Sequence, residues 1–314
     1  MINKEIPTLY MTVGLVASGK TTFAYDLANN INADDDSRTT HVFDSDALRE
    51  EMFGDATHQG DNGKLFTELH RRIKQCLKNG DNAVYCATNI KSKRRMAFLR
   101  ELTNIPCNKV CYIMATPYDQ CLVNNENRER QVPEEVIERM YKSWNTPAKF
   151  EGWDDIKIHY WNDMKRNVSA VYIISYLRSY NQDNPHHTRT LGHHMIRAYE
   201  LISSNPHNTS DLCYAASLHD VGKVFCRSVD DNGIAHYYNH ENVGAYDVLF
   251  FDFCNTQSDE LTIDVSVLIN LHMRMYAFAN SPFPYKLHDK YRKIWGAELY
   301  DKLVKLHEAD VNAH

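Results

Sequence analysis

The octapeptide GLVASGKT, residues 14–21, constrains the fold more than any other stretch of the chain. It follows the apolar run TLYMTV and fits GxxxxGK[ST], the pattern of a strand-to-helix loop whose backbone N–H groups surround phosphate oxygens. Lys20 is placed to reach the β- and γ-phosphates of ATP or another NTP, and Thr21 to hold Mg²⁺. The residues expected to contact the nucleotide are Gly14, Ser18, Gly19, Lys20, Thr21 and Thr22.

The order of apolar and helical stretches divides the chain. Short strand-like runs alternate with helical segments as far as EGWDDIKIHYW, which is typical of a parallel sheet, and after it the chain reads as helices. We expect an α/β domain with a parallel sheet flanked by helices over residues 1–163. A connecting helix and linker over 164–186 should then lead to an all-α helical bundle over 187–314.

Composition excludes several classes of protein. With 43% hydrophobic and 24% charged residues, a disordered or fibrous chain is not expected, and no apolar run approaches the roughly 20 residues of a membrane span. The first residues lack the apolar core of a signal peptide, and the 8 cysteines form no CxxC pair, so we expect a cytoplasmic protein with reduced thiols. The net charge of −6 means that a nucleic acid would need a local basic groove.

Two carboxylates close the second strand-like run, HVFDSD, at the end where open α/β sheets bind ligands. Arg49 follows Asp46 by three residues and would share its helical face. Asp44 or Asp46 could accept the proton of an acceptor hydroxyl while Arg49 holds a nearby phosphate. The alternative is that Asp46 caps a helix and that Arg49 lies on the surface.

Five segments follow one another along the chain in an order and spacing that can be compared with known families: GLVASGKTT, DSDALREEMFG, CATNIKSKRR, NRERQVPEEVIERMYKSW and EGWDDIKI. Over residues 8 to about 160 they resemble the polynucleotide kinase clade of P-loop kinases. The resemblance implies a polynucleotide kinase domain in which Asp46 is the general base for a 5′-hydroxyl and Arg49 contacts the adjacent phosphate. Arg128 and Arg130 match lid arginines that meet the phosphates of the nucleotide. The other matched positions are Thr88, Asn89, Arg94 and Arg95.

The chain departs from the pattern of this clade at two positions. Cys86 stands where the clade has an acidic residue before ATN, and Asn124 stands where it has its first lid arginine. Both departures predict slower turnover or a relocated contact. The basic stretch KSKRR, residues 91–95, is either a solvated surface or a contact to a nucleic-acid backbone.

Polar residues lie on apolar helix faces in the second half. His219 follows apolar residues at spacings of seven, four and three positions, so it falls on the apolar stripe of its own helix, and His194, His272 and Asp310 are placed similarly. An ionised carboxylate buried there is costly unless it is paired. With Asp220, convergence of these helices would assemble a nitrogen and oxygen donor set for a divalent metal. Taken singly, each histidine is more simply a hydrogen-bonded core residue.

The segments SLHDVGK, HYYNHENVGA, LINLHMRMYAF and KLVKLHEADVNA resemble, over residues 187–314, the HD phosphohydrolase superfamily, and most closely the HD domain of bacterial tRNA nucleotidyltransferases. The resemblance implies one or two divalent transition metals, of open identity among manganese, nickel, cobalt, iron and zinc, that activate water for phosphate hydrolysis. Lys223 would face the substrate phosphate, and His193 is an alternative to His194. The ligands implied are His194, His219, Asp220 and Asp310 for the first ion, and His240 and His272 for a second ion bridged by Asp220.

Together the two halves predict an enzyme that heals RNA ends, and DNA ends as a second acceptor. The first half would phosphorylate a 5′-OH with an NTP, and the second would remove a 2′,3′-cyclic or terminal phosphate, with a separate ligase acting afterwards. An alternative is a nucleoside or other small-molecule kinase fused to an HD nucleotidase. A third is a non-enzymatic RNA or nucleotide sensor with one decayed site. No membrane partner is expected, and the sequence leaves a homodimer open.

Overall fold

The computed structural model describes residues 3, 5–35, 37–55, 60–163, 168–185, 188–253 and 258–314. Two compact units divide the chain: Met1–Ile137 with Pro147–Asp163, here called the sheet unit, and Glu138–Thr146 with Met164–His314, here called the helical unit. Residues 138–146 fall within the helical unit, and so does the whole of the expected connecting segment, 164–186.

The sheet unit is built on five parallel strands in the order β2-β3-β1-β4-β5. Their bounds are β1 Thr8–Val13, β2 Thr40–Asp44, β3 Asn82–Cys86, β4 Asn108–Ala115 and β5 Asp155–Tyr160. Every residue of β3 and all but one of β1 are buried, as expected for strands covered by helices on both faces. The predicted parallel sheet is confirmed.

Six helices surround this sheet: α1 Lys20–Asp34, α2 Ser45–Phe53, α3 Asn62–Lys78, α4 Ser92–Glu101, α5 Tyr118–Glu126 and α6 Glu134–Tyr141. Helix α3 shows why they pack: its buried residues Leu65, Leu69, Ile73, Cys76 and Leu77 recur every three or four positions and form one apolar stripe. Helix α6 begins in the sheet unit and ends in the helical unit.

The helical unit consists mainly of helices with short two-residue strands between them. The helices are α7 Ala170–Leu177, α8 Leu191–Ser203, α9 Ser210–Leu218, α10 Lys223–Cys226, α11 His240–Asp247, α12 Asp259–Leu271, α13 Arg274–Ala279, α14 Pro284–Trp295 and α15 Ala297–Val311. The strands are β6 Val168–Ser169, which pairs with β9 Phe251–Asp252, and β7 Ser228–Val229, which pairs with β8 Ala235–His236. None of the helices in the described ranges is long and apolar enough to cross a bilayer.

A glycine lets α10 approach α11 closely. A Cβ built at Gly222 would lie 2.2 Å from the carbonyl oxygen of His240 and 2.5 Å from the backbone nitrogen of Gly244. Because real Cβ atoms do not come that near to backbone, only glycine permits this packing. The contact brings the turn after His219 against the start of α11.

The segment 138–146 belongs to the core of the helical unit. Trp144 is fully buried and packs edge-to-face on Tyr246 of α11, with ring centroids 4.9 Å apart. The Thr146 hydroxyl lies 2.7 Å from the Ser266 hydroxyl of α12, and the Asn270 amide donates to the Trp144 carbonyl at 3.2 Å. These buried polar groups are thus satisfied by α12.

Candidate functional site

The loop between β1 and α1 has the backbone geometry that its glycines predict. A Cβ at Gly14 would lie 2.5 Å from Ser18 Oγ and 2.9 Å from Met114 Cβ, so a side chain does not fit there. Gly19 has φ +83°, in the left-handed region that favours glycine, and directly precedes α1. The loop therefore turns its backbone toward the helix N-terminus, where anions bind.

Lys20 folds over this loop. Its ammonium donates to the Leu15 carbonyl and to Ser18 Oγ, the latter at 3.3 Å. Desolvation lowers the pKa of Lys20. A phosphate bound at the loop would favour the protonated form of Lys20.

Asp44 takes the position beside the loop threonine. Thr21 Oγ1 donates to Asp44 Oδ2 at 3.1 Å, and the carboxylate is buried at the carboxyl end of β2. Its other oxygen accepts from the Asp46 amide at 2.7 Å, so Asp44 is the N-cap of α2. The expectation that Asp46 caps this helix is therefore wrong. A hydroxyl and a carboxylate at a phosphate loop are oxygen ligands that suit Mg²⁺.

Cys86 pairs with Asp44 in the sheet register, and its sulfur lies 3.8 Å from Thr21 Oγ1. Burial raises the pKa of the Cys86 thiol to about 12, so it is neutral at physiological pH. Asp44, at the end of β2, is thus a carboxylate beside both Thr21 and Cys86. The sequence offered Asp44 only as a possible base, because the strand register that places it beside Thr21 is not visible in the sequence.

Asp46 and Arg49 lie on the first turns of α2. The Asp46 side chain is half exposed, and its Oδ2 lies 3.5 Å from a guanidinium nitrogen of Arg130. Arg49 is buried, and its guanidinium donates to Asn62 Oδ1 at 2.9 Å. The alternative that Arg49 is a surface residue is therefore wrong. The structure brings the predicted base and one lid arginine together.

Two asparagines brace the loop. Asn124 donates to the Ala17 carbonyl at 3.0 Å, so it supports the backbone where the clade has a cation. Asn89, with φ +48°, donates to the Thr12 carbonyl at 3.0 Å and holds the end of β1. Arg128 is exposed, and its charge contributes to the lowered pKa of Lys20.

Arg95 is not available to a nucleic acid. It is buried, and its Nε and terminal nitrogen bind the two carboxylate oxygens of Glu151 at 2.8 and 2.6 Å. Trp153 also donates to Glu151, at 3.0 Å. The expectation that the whole stretch 91–95 is either solvated or a backbone contact is therefore wrong for Arg95, while Lys93 and Arg94 remain exposed.

In the helical unit, the six predicted ligands converge from five helices or their ends. All are less than a tenth exposed: His194 of α8, His219 and Asp220 after α9, His240 of α11, His272 after α12 and Asp310 of α15. His193 points elsewhere. It is exposed, and its Nδ1 lies 2.9 Å from the Thr190 hydroxyl.

The first group contains four donor atoms within 4.8 Å of one another. His194 Nε2 lies 3.1 Å from His219 Nε2 and 3.0 Å from Asp310 Oδ1. Asp220 Oδ2 lies 3.4 Å from His194 Nε2 and 3.5 Å from His219 Nε2. Two imidazoles and two carboxylates therefore face one point.

The second group shares Asp220 through its other oxygen. Asp220 Oδ1 lies 3.1 Å from His240 Nε2 and 3.8 Å from His272 Nε2. The two imidazole nitrogens are 3.2 Å apart. Asp220 is thus placed to bridge two ions, one on each carboxylate oxygen.

The hydrogen bonds of these histidines turn their Nε2 atoms toward the centre of the cluster, which favours binding of a cation there. Each Nδ1 faces a backbone carbonyl, which can only accept, so Nδ1 carries the proton and the Nε2 lone pair points inward. The pairs are His219 with Ala216 at 2.9 Å, His240 with Tyr237 at 2.7 Å, His272 with Ile269 at 2.7 Å and His194 with Ala313 at 3.4 Å. Lone pairs that face each other at 3.1 and 3.2 Å repel unless a proton or a metal lies between them. The donor set fits one or two divalent metals.

The electrostatics of the cluster follow from its two carboxylates. Burial opposes charge on Asp220, but the nearby Lys223 and His219 outweigh it and hold the pKa of Asp220 well below its usual range. Burial also opposes charge on His194, but hydrogen bonds to Asp220 and Asp310 raise its pKa to about 9. Burial lowers the pKa of His272 to about 3 and keeps it neutral, as a metal ligand must be.

Two further side chains hold the carboxylates. Lys223 Nζ lies 2.7 Å from Asp220 Oδ2 and donates to Gln182 Oε1 at 2.9 Å. The Tyr276 hydroxyl donates to Asp310 Oδ2 at 3.0 Å, which leaves Oδ1 for the histidines. Sequence reasoning missed Tyr276; its signal was its position four residues after His272.

Known proteins match part of this chain. A family model described as an AAA domain matches residues 9–147. The L-seryl-tRNA(Sec) kinase of Methanococcus maripaludis is 28% identical over 82 residues, which is 26% of this chain and 32% of that protein. The chain therefore spans about a third of the length of the curated relative that it matches.

Solved structures also match at low identity. Kti12 of Chaetomium thermophilum in complex with ADP-AlF3 is 17% identical, covers 49% of this chain and 90% of its own, and has a TM-score of 0.43. A chain of the Pnkp1/Rnl/Hen1 RNA repair complex is 17% identical, with 44% of each chain covered and a TM-score of 0.36. With its phosphate loop, its parallel sheet and the family match over residues 9–147, the amino-terminal part of this chain is a P-loop kinase-like domain.

Proposed function

We propose that the chain heals RNA ends. The sheet unit transfers the γ-phosphate of an NTP to a 5′-OH polynucleotide end, and the helical unit is an HD-type phosphohydrolase that removes a 2′,3′-cyclic or terminal phosphate. The observation that carries the proposal is the buried cluster of His194, His219, Asp220 and Asp310 in a chain that also has a phosphate loop and an adjacent carboxylate.

In the kinase step, the loop and Lys20 hold the β- and γ-phosphates. Thr21 and Asp44 would hold Mg²⁺, which would offset the charge of the transferred phosphoryl group. Asp46, half exposed at the start of α2, accepts the proton of the attacking 5′-hydroxyl. Arg49 orients the neighbouring phosphate of the acceptor.

In the phosphatase step, the imidazole nitrogens and carboxylate oxygens of the cluster would hold a divalent metal beside the phosphate. Such a metal would supply a nucleophilic water and polarise the phosphoryl oxygen. Lys223, already 2.7 Å from Asp220, adds a positive charge beside the phosphate. Tyr276 keeps Asp310 oriented through the oxygen that faces away from the histidines.

The pairing of these two activities supports RNA as the substrate. Cleavage of RNA through its 2′-hydroxyl leaves a 5′-OH end and a 2′,3′-cyclic phosphate. Joining requires the opposite chemistry, a 5′-phosphate and a 3′-OH. One chain with a kinase site and a phosphohydrolase site converts both ends before a ligase acts.

The test uses an RNA oligonucleotide with 5′-OH and 2′,3′-cyclic phosphate ends, incubated with ATP, Mg²⁺ and Mn²⁺, Ni²⁺, Co²⁺, Fe²⁺ or Zn²⁺. Mass analysis of the termini should show a gain of phosphate at the 5′ end and hydrolysis at the 3′ end. Asp46→Asn should remove only the first conversion, and His219→Ala with Asp220→Ala only the second. If neither end changes while nucleosides or mononucleotides react, the small-molecule alternative replaces the proposal.

A further inference from the structure

Residues 180–184, here called the strap, hold two cations of the helical unit. Gln182 is buried, its Oε1 accepts from Lys223 Nζ at 2.9 Å, and its own amide donates to the Arg189 carbonyl at 3.0 Å. The neighbouring Asp183 carboxylate binds a guanidinium nitrogen of Arg227 at 2.7 Å. Adjacent strap residues thus position cations that are four residues apart in the chain.

The two cations differ in burial. Lys223 is about 4% exposed and lies against Asp220 in the metal cluster. The Arg227 side chain is 37% exposed. One positive charge thus lies at the cluster and a second lies at the surface of the helical unit.

Tyr237 interacts with both cations. Lys223 Nζ is 5.5 Å from the centre of its ring, its hydroxyl donates to the Gln182 carbonyl at 2.5 Å, and its phenol interacts with Arg227. The ring is buried, so it keeps a fixed position beside both cations.

We propose that Arg227 forms a second phosphate-binding position beside Lys223, so that the helical unit selects a terminal phosphate preceded by a phosphodiester. This inference rests on the proposed phosphohydrolase function of the unit. A mononucleotide offers one phosphate and leaves Arg227 paired only with protein groups. An oligonucleotide 3′ end offers a second phosphate, and guanidinium groups bind phosphate through paired N–H donors.

The test compares two substrates that share the reacting group: adenosine 2′,3′-cyclic phosphate, and the dinucleotide ApA with a 2′,3′-cyclic phosphate. Both are incubated with the full chain and Mn²⁺ without ATP. We expect the wild-type protein to have a KM about tenfold lower for the dinucleotide, and Arg227→Gln to abolish that difference without changing kcat for the mononucleotide. The salt dependence of log KM for the dinucleotide should lose a slope of about 0.7.

Two controls separate phosphate binding from a structural role. Asp183→Asn removes the carboxylate that competes for Arg227, so the dinucleotide preference should be kept or increased. If Arg227 acted only by holding the strap, Asp183→Asn and Arg227→Gln would have the same effect. Arg292→Gln removes another exposed arginine paired with an aspartate, Asp301 at 2.7 Å, and should leave both KM values unchanged.

The outcomes distinguish this inference from the function on which it rests. If the wild-type protein hydrolyses neither compound with any of the five metals, both the proposed phosphohydrolase function and the second phosphate position are excluded. Hydrolysis of both compounds without a dinucleotide preference, or with a preference that Arg227→Gln retains, overturns the second phosphate position alone.

Discussion

Asp44 and Cys86 end neighbouring strands and face the same threonine. Asp44 accepts a hydrogen bond from Thr21 at 3.1 Å, whereas the Cys86 thiol is neutral because burial raises its pKa to about 12. Of these two side chains, Asp44 is therefore the one that can offer negative charge to a cation at the loop. If the loop holds Mg²⁺ as proposed, Asp44 would supply the carboxylate that position 86 lacks.

Asp44→Asn tests this compensation. Asparagine still caps α2, so folding should be preserved, but the charge beside Thr21 is lost. We expect kcat for ATP-dependent 5′-phosphorylation to fall by about 100-fold or more, with the melting temperature unchanged. Cys86→Ser serves as the matched control and should keep activity within about threefold of wild type. Full activity of Asp44→Asn would exclude Asp44 from the metal position.

Tyr276 acts on the metal cluster through Asp310. Removing its hydroxyl by Tyr276→Phe frees the carboxylate to rotate, and loss of such outer hydrogen bonds typically weakens metal binding by about 10- to 100-fold. Titration of the metal-free protein with Zn²⁺ should show this loss. Tyr285→Phe changes an exposed tyrosine of α14 and should leave the affinity unchanged. Equal affinities for the two variants would contradict a role for Tyr276.

At the scale of elements, the segment 138–146 completes the packing around α11 and α12. The first of these helices begins at His240 and the second ends just before His272, so both carry ligands of the second metal group. Trp144 packs on one helix through Tyr246 and receives a hydrogen bond from the other through Asn270. A substitution of Trp144 should therefore weaken metal binding through these two helices, although it leaves His240 and His272 unchanged.

Trp144→Ala should destabilise the helical unit by about 3–5 kcal/mol, because it leaves a large cavity in a close-packed core. Urea unfolding of the full chain, followed by circular dichroism, would measure this loss, and Zn²⁺ affinity should fall with it. Val171→Ala, on an exposed position of α7, should change the free energy of unfolding by less than about 0.5 kcal/mol. A fragment covering 187–314 alone lacks the segment and should be less stable than the full chain. Similar stability of Trp144→Ala and wild type would show that the segment is dispensable.

At the scale of the whole molecule, the sequence predicted the sheet and pointed to the histidines and aspartates that cluster in the helical unit, but not the partners that lie far apart in the chain. The phosphate loop and the fully buried strands have local signatures, and His194, His219, His272 and Asp310 stand out because they interrupt apolar stripes. Arg95 gave no local sign of its partner Glu151, which is 56 residues away. The sequence likewise showed no sign that residues 138–146 pack in the helical unit, because their apolar residues would suit the core of either unit.

The metal-free and metal-loaded proteins should respond to pH in opposite ways. Without metal, protonated His194 stabilises the fold; its pKa is about 9 when folded and 6.5 when unfolded, so this stability is complete below pH 6.5 and is lost as the pH rises through 9. Its size is on the order of 3 kcal/mol. A metal must displace that proton, so it binds more tightly as the pH rises.

The measurement is the melting temperature of the full chain with EDTA and with Mn²⁺ between pH 6 and 9. The difference between the two should widen with pH. His193→Ala is the control, since this exposed neighbour should not alter the pH dependence, whereas His194→Ala should flatten the curve recorded with EDTA. A difference that stays constant or shrinks with pH would contradict a shared site for the proton and the metal.

The depth of the cluster also sets how a metal would enter and leave. All six side chains are less than a tenth exposed and come from helices spread over residues 191–311, so an ion held by them would have to break bonds to several helices before it could leave. Its release should therefore be slow and should become faster when the unit opens locally. The ion that is captured as the chain folds would then determine the composition of the site for a long time afterwards.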